Sequence, residues 1–219
     1  MALPLLVIGN KKYSSWSLRA WIAFRHLGVP FEERRIPLYQ PQSRAEILKY
    51  SAAGKVPALV DGPLTVHESI AILEYLNETH AQDRLLPRDV PTRARIRSVS
   101  AEMHAGFPNL RQNLPMNLAR SPAPLALDDA TRAETLRILS LWESLRVEFK
   151  DGGPYLFGAF SMADCMYLPV ATRFHTYMLD LTAYPRARGY YESLMGLPAF
   201  QEWRQAGVTE KEVLPQFEK

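Results

Sequence analysis

The sequence contains a single cysteine, Cys165, among its 219 residues. One thiol cannot form an internal disulfide, so the chain is not a small disulfide-stabilised scaffold. No apolar run approaches the roughly 20 residues of a membrane-spanning helix. The first lysine, Lys11, follows a strand-like segment, whereas a secretion signal places basic residues before its apolar run. These absences predict a cytoplasmic protein.

Several enzyme and binding motifs are also missing. The five histidines have no metal-ligand spacing with one another or with the cysteine, so no metal site is predicted. The chain has neither a Gly-x-x-x-x-Gly-Lys phosphate loop nor a Gly-x-Ser-x-Gly elbow. The net charge of +3 is small, and the arginines at 93, 95 and 97 adjoin an apolar helical face. We therefore predict no nucleic-acid site.

Apolar residues make up 47% of the chain, which is enough for a packed core. The pattern changes near residue 82. Before it, short strand-like runs (5–8 and 31–36) alternate with helical segments, whereas almost everything after it has helical periodicity. We predict an α/β domain over residues 1–82, a proline-containing linker over 83–91, and an all-helical domain over 92–219.

The helical half gives three further predictions. A long helix is expected from Thr92 to about Leu118, bent near residues 106–108 where glycine and proline occur. An amphipathic helix is expected over 128–150. Ser161 and Asp164 form a capping box at the start of a third helix. We assign Asp164 and Cys165 structural rather than catalytic roles.

The most informative stretch runs from residue 56 to residue 76. A cis bond before Pro57 would leave the backbone of Val56 free to pair with an extended peptide, as an added strand does. Glu68 and Ser69 then open an amphipathic helix, whose N-terminal N–H groups attract a carboxylate. A strand edge followed by an anion site predicts a small-peptide site, although a simple strand, turn and capped helix would have the same pattern.

Three serines, Ser14, Ser15 and Ser17, lie where the first helix begins. A hydroxyl at a helix N-terminus can donate a hydrogen bond to a thiolate and stabilise its charge. Serine is equally favoured as a cap and turn residue. The residues alone leave both interpretations open.

Together these segments resemble the glutathione transferases, and within them the zeta class. The resemblance spans nearly the whole chain and rests on Ser14-Ser15-x-Ser17-x-Arg19, Lys55-Val56-Pro57-Ala58-Leu59, the run 67–76, Arg84-Leu85-Leu86-Pro87, and the run 179–185. It implies a thioredoxin-like α/β N-terminal domain, an all-α C-terminal domain, glutathione as cosubstrate, and a homodimer.

The resemblance also implies roles for residues near the thiol. Ser14 matches the serine that stabilises the thiolate, with Ser15 as the second choice and Tyr13 as the third. Arg19 is assigned a structural role. Val56 matches the residue whose backbone pairs with the cysteinyl part of glutathione.

The remaining glutathione contacts follow in the same way. Pro57 matches the cis proline. Glu68 is suited to the ammonium of the γ-glutamyl group and Ser69 to its carboxylate. Gln42 and Lys55 lie where the family contacts the glycyl carboxylate.

One residue departs from the zeta pattern. Trp16 stands where the motif has a cysteine that is linked to isomerase chemistry, which weighs against maleylacetoacetate isomerisation. The resemblance places Trp16, His104, Phe107 and Arg111 beside the acceptor pocket. A cation at Arg111 would favour an anionic acceptor.

Three functions are consistent with this sequence. The first is a glutathione transferase of the detoxification type, which activates the thiol for attack on a small electrophile. The second is a glutathione-dependent cis–trans isomerase of the maleylacetoacetate type. The third is a non-catalytic binding protein with the same fold. The presence of both the Val-Pro edge and the Glu-Ser pair favours an enzyme.

Overall fold

The computed structural model describes residues 2–219 and contains one sheet of four strands in that range. The strands are β1 (Leu5–Ile8), β2 (Glu32–Arg35), β3 (Ala58–Asp61) and β4 (Leu64–His67). Their order in the sheet is β2-β1-β3-β4. β1 pairs with β2 in parallel, whereas β1–β3 and β3–β4 are antiparallel. All four strands precede residue 68, as the sequence pattern predicts.

Three helices accompany the sheet: α1 (Ser15–His26), α2 (Ser43–Leu48) and α3 (Ser69–Thr79). α1 begins at Ser15 because the side chain of Ser14 accepts a hydrogen bond from the Ser17 N–H in the first turn. The helix is buried along most of its length, since it packs against α3 on one side and helices of the second half on the other. α1 therefore connects the sheet to the helical half.

The second half contains six helices within the described residues, together with two short 3₁₀ turns, Lys150–Gly152 and Pro215–Phe217. The helices are α4 (Val90–Ala105), α5 (Pro108–Asn113), α6 (Asp129–Glu148), α7 (Met162–Thr176), α8 (Pro185–Met195) and α9 (Pro198–Val208). α7 is almost wholly buried and packs against α1, α4 and α8. The predicted fold class is confirmed: a mixed sheet with helices, followed by a helical half.

The prediction of a single helix from Thr92 to about Leu118 is wrong in its length. α4 ends at Ala105, Phe107 adopts a left-handed φ of 55°, and Pro108 starts the separate helix α5. A Cβ on Gly106 would lie 2.6 Å from the Glu102 carbonyl oxygen, and proline lacks the N–H that a continuing helix needs. The sequence signal at 106–108 marks a break rather than a bend.

The division into residues 1–82, 83–91 and 92–219 stays a prediction. Within residues 2–219, no helix is long and apolar enough to span a membrane.

The capping box of α7 gives a prediction on stability. The Ser161 N–H and hydroxyl both donate to Asp164 Oδ2, at 2.7 and 2.8 Å, and the carboxylate is fully buried. Ser161→Ala removes one of these bonds, so the free energy of unfolding should fall by about 1–2 kcal/mol.

Chemical denaturation of the wild type and of the Ser161→Ala variant measures this loss. Ser193→Ala is the control, because the Ser193 hydroxyl bonds only to the Gly189 carbonyl of its own helix on the surface. Equal losses in the two variants would show that the capping box contributes nothing specific.

Candidate active site

A cleft of about 650 Å³ opens beside the sheet and is bordered by α1, α2, α3 and α4. Eight residues assigned to the site from the sequence line it: Ser14, Trp16, Lys55, Val56, Pro57, Glu68, Ser69 and His104. Segments that are distant in the chain therefore meet in one cavity.

Ser14 lies at one end of a short hydrogen-bond chain. Its hydroxyl donates to the Ser17 hydroxyl at 2.8 Å, and its Oγ accepts from the Ser17 N–H at 3.3 Å. The Ser17 Oγ in turn accepts from the Gly9 N–H at 3.0 Å. Because a hydroxyl rotates, Ser17 can donate to Ser14 and leave the Ser14 O–H free to donate into the cleft.

The strand edge predicted at Val56 is present. The Val56–Pro57 peptide bond is cis, and β3 begins one residue later, at Ala58. Within residues 2–219 neither the N–H nor the C=O of Val56 forms a backbone hydrogen bond. Both groups are therefore available to an extended peptide in the cleft.

The N-terminus of α3 forms the second half of the predicted peptide site. Glu68 precedes the helix with a left-handed φ of 68°, and its side chain makes no capping bond. The Ser69 Oγ is buried and has no hydrogen-bond partner among the described residues. A carboxylate bound at this helix N-terminus would accept a hydrogen bond from the unpaired hydroxyl. Residues with an uncommon backbone conformation, such as Glu68, often occur at ligand-binding sites.

Cationic groups lie toward the loop between α2 and β3. Lys55 lines the cleft there, and so does Arg44, which the sequence interpretation missed. Gln42 is the N-cap residue of α2 and does not line the cleft. Ser43, Arg44 and Ile47 share the helical face that borders the cavity. The i, i+1, i+4 spacing of these residues is the signal that could have identified Arg44.

Two alternatives for the thiol contact lie elsewhere. Ser15 is the first residue of α1, one position beyond the cap, and does not line the cleft. The Tyr13 hydroxyl bonds to the Glu218 carboxylate and accepts from the Leu214 N–H at 3.4 Å. Burial, followed by the hydrogen bond to Glu218, raises the pKa of Tyr13 to about 12. Tyr13 is therefore occupied by the C-terminal segment.

Of the four residues assigned to the acceptor pocket, two line the cleft and two do not. Trp16 and His104 line it with their rings in an edge-on contact, 5.2 Å between centroids. Phe107 is buried. The Arg111 Cζ lies 5.6 Å from the Trp16 ring centroid, and Arg111 donates to the Met103 and His104 carbonyls. Arg111 therefore contacts the indole but does not itself line the cavity.

His104 also approaches the opposite wall of the cleft. Its Nε2 is 3.7 Å from the Glu68 carboxylate. Burial is the largest influence on the pKa of His104 and lowers it, with Arg19 and Arg111 adding to the effect and Glu68 opposing it. These surroundings therefore favour the neutral form of the imidazole.

Family models match both halves of the chain. The model described as the N-terminal domain of glutathione S-transferase matches residues 13–79, and that of the C-terminal domain matches residues 128–206. The chain belongs to the glutathione S-transferase superfamily. As a glutathione S-transferase, it is an enzyme that uses glutathione.

The curated relatives of this transferase include zeta-class enzymes. The maleylacetoacetate isomerase of Rattus norvegicus is 31% identical over 202 residues, which cover 90% of each chain. The probable maleylacetoacetate isomerase of Caenorhabditis elegans is 27% identical and covers 90% of this chain and 91% of the relative. The resemblance to the zeta class is confirmed.

Solved structures share the fold. A maleyl pyruvate isomerase, a bacterial zeta-class glutathione S-transferase, superimposes with a TM-score of 0.70 at 24% identity, covering 95% of this chain and 100% of that chain. A Burkholderia glutathione transferase homologue, solved with bound glutathione, has a TM-score of 0.69 at 24% identity and coverage of 94% and 99%.

Proposed function

We propose that this transferase conjugates glutathione to a small electrophile in the cleft, with Ser14 stabilising the thiolate. A free thiol has a pKa of about 8.5 and is mostly protonated at neutral pH. A donated hydrogen bond near a helix N-terminus favours the charged form. The thiolate then forms a carbon–sulfur bond to the electrophile, and the displaced bond's electron pair leaves with the departing group.

The cleft offers a partner for each part of the tripeptide. Ser69 and the first turn of α3 are suited to the γ-glutamyl carboxylate, and the Glu68 carboxylate to the ammonium group. The backbone of Val56 is suited to the cysteinyl residue. Lys55 and Arg44 are suited to the glycyl carboxylate.

One observation carries this proposal. Ser14, the free backbone of Val56 and the unpaired hydroxyl of Ser69 line the same cleft. Their presence in one cleft supports a peptide held at Val56 and Ser69 whose thiol contacts Ser14. The test is a calorimetric titration with glutathione, followed by an assay against a panel of electrophiles. Absence of glutathione binding would contradict the proposal.

The Ser17 hydroxyl gives a prediction on this site. Ser17 is fully buried and lies between the Gly9 N–H and the Ser14 hydroxyl. Hydrogen bonds in a chain polarise one another, so loss of the Ser17 donor should weaken the bond that Ser14 gives to the thiolate. We expect Ser17→Ala to lower turnover about 3–10-fold at neutral pH and to raise the apparent pKa of the rate profile.

The measurement is the pH–rate profile with saturating glutathione. Ser17→Thr, which keeps the hydroxyl, should restore most of the activity. If both variants lose the same activity without a change in the profile, Ser17 serves only in packing.

A second candidate reaction is glutathione-dependent cis–trans isomerisation. The supporting observation is that curated relatives are maleylacetoacetate isomerases. In such a reaction the thiolate would add to a double bond, the resulting single bond would rotate, and elimination would regenerate glutathione. Trp16 in place of the motif cysteine weighs against it. Turnover of maleylacetone, compared with conjugation of the electrophile panel, distinguishes the two candidates.

We further propose a cytoplasmic homodimer with a role in detoxification. The cytosol keeps thiols reduced, which a thiol cosubstrate requires. The dimer rests on family resemblance. Arg97, a candidate for the interface, pairs with Glu74 of its own chain at 2.7 Å. Light scattering that gives the mass of a monomer at assay concentration would contradict the dimer.

A further inference from the structure

A group of arginines lies behind the cleft wall at Trp16. Arg19 is fully buried, and its Nε donates to the Met166 carbonyl at 3.1 Å. Its Nη1 and Nη2 have no hydrogen-bond partner in the part of the chain that the structure describes. A buried guanidinium with two unpaired nitrogens is rare, because removal of a cation from water is costly unless it is paired.

The charged groups around Arg19 do not offset the cost of burying its positive charge. Burial is the main cause that lowers the pKa of Arg19, and the positive charges of Arg173 and Arg111 lower it further. The hydroxyl of Tyr167 acts in the opposite direction. The nearby charged groups that affect this pKa are arginines, so Arg19 lies in electropositive surroundings.

Trp16 lines the cleft and contacts both Arg19 and Arg111, neither of which lines it. The Arg19 Cζ lies 4.0 Å from the indole centroid, and the Arg111 Cζ lies 5.6 Å from it. The indole also contacts the His104 ring and lines the cleft. Cation–π attraction to the ring is thus the compensation available to Arg19.

The indole also controls what an electrophile in the cleft can contact. A carboxylate held against an indole face would lose its hydration without gaining a donor, which is unfavourable. A neutral aromatic ring can pack against the same surface at no such cost. Removal of the indole would instead present two guanidinium groups to the cleft.

We propose that Trp16 is a specificity-determining residue that covers Arg19 and Arg111, excludes anionic electrophiles from them, and favours neutral aromatic electrophiles. The inference rests on the proposed conjugation in this cleft. It reverses the expectation that Arg111 selects an anionic acceptor, because the arginine acts only when the indole is absent.

A matched pair of electrophiles tests the inference. Chlorodinitrobenzoate and its primary amide, each with chlorine para to the carbonyl carbon, differ in charge at one end of the ring. In both, the glutathione thiolate bonds to the carbon that carries chlorine, the carbon–chlorine bond breaks, and chloride leaves with the electron pair. The measured quantity is the benzoate-to-amide ratio of kcat/KM, divided by the same ratio for the uncatalysed reaction.

The wild-type chain should give a normalised ratio of one or less. Trp16→Ala should raise that ratio about tenfold or more, since a carboxylate then gains charge-assisted bonds from Arg19 and Arg111. Trp16→Phe is the control, because it keeps an aromatic cover and should give a ratio near that of the wild type. Arg111→Gln in the Trp16→Ala background should lower the raised ratio several-fold.

The outcomes separate this inference from the function on which it rests. If the wild type does not bind glutathione, the proposed function fails. If the wild type turns over the amide but Trp16→Ala leaves the ratio unchanged, Trp16 is only a packing residue. Should Trp16→Ala not fold, the wild-type ratio still decides, since a clear wild-type preference for the benzoate would overturn the inference.

Discussion

Replacement of Ser69 by alanine is expected to weaken glutathione binding about 10–150-fold, which corresponds to about 1.5–3 kcal/mol. The Ser69 Oγ is buried at the N-terminus of α3 and has no hydrogen-bond partner among residues 2–219. A γ-glutamyl carboxylate bound there would accept a charge-assisted hydrogen bond from it, and such bonds are about twice as strong as neutral ones. Calorimetric titration of the wild type and of the Ser69→Ala variant with glutathione measures the difference in affinity.

Ser100 provides a matched control for this experiment. Its Oγ is likewise buried and without a partner, but it lies in α4 and does not line the cleft. Ser100→Ala should therefore leave the dissociation constant for glutathione unchanged. If Ser69→Ala also leaves it unchanged, the γ-glutamyl group binds elsewhere.

Replacement of Ser14 by alanine is expected to lower turnover about tenfold or more at neutral pH, with glutathione affinity nearly kept. A hydrogen bond to the sulfur stabilises the charged form, so its loss should raise the pKa of the bound thiol by about one to two units. The greater nucleophilicity of a more basic thiolate restores part of the rate. Turnover should therefore recover as the pH is raised, and the pH–rate profile should move to higher pH.

Ser15→Ala is the control for this variant, because Ser15 is adjacent but lies outside the cleft. If only Ser15→Ala displaces the pH–rate profile, Ser15 rather than Ser14 contacts the thiolate. If neither variant changes the profile, Tyr13 or backbone N–H groups alone hold the sulfur, or no group of this site stabilises the thiolate.

Features of the site that are set by residues close together in the sequence were predictable. The strand edge at Val56 and the helix start at Ser69 each follow from a local pattern of proline, turn residues and apolar periodicity. The α/β half and the helical half follow in the same way. That residues of the α/β half and of the helical half line one cleft was expected from family resemblance rather than from the sequence patterns.

Features that depend on the orientation of an element were not predictable. Arg44 was missed because the face that α2 turns to the cavity is set by packing, and Gln42 does not line the cleft. Arg111 was assigned to the pocket, yet it contacts the indole of Trp16 and does not line the cleft. The end of α4 at Ala105 depends on the left-handed backbone of Phe107, which bulky residues rarely adopt.

The pH titration of enzyme-bound glutathione tests the central claim most directly. Thiolates absorb in the ultraviolet where thiols do not, so the difference spectrum of the complex reports the ionised fraction of the bound thiol. The account predicts a midpoint clearly below the value of about 8.5 for a free thiol. A midpoint at or above the free value, in a complex that calorimetry shows to be saturated, would contradict thiol activation in this cleft.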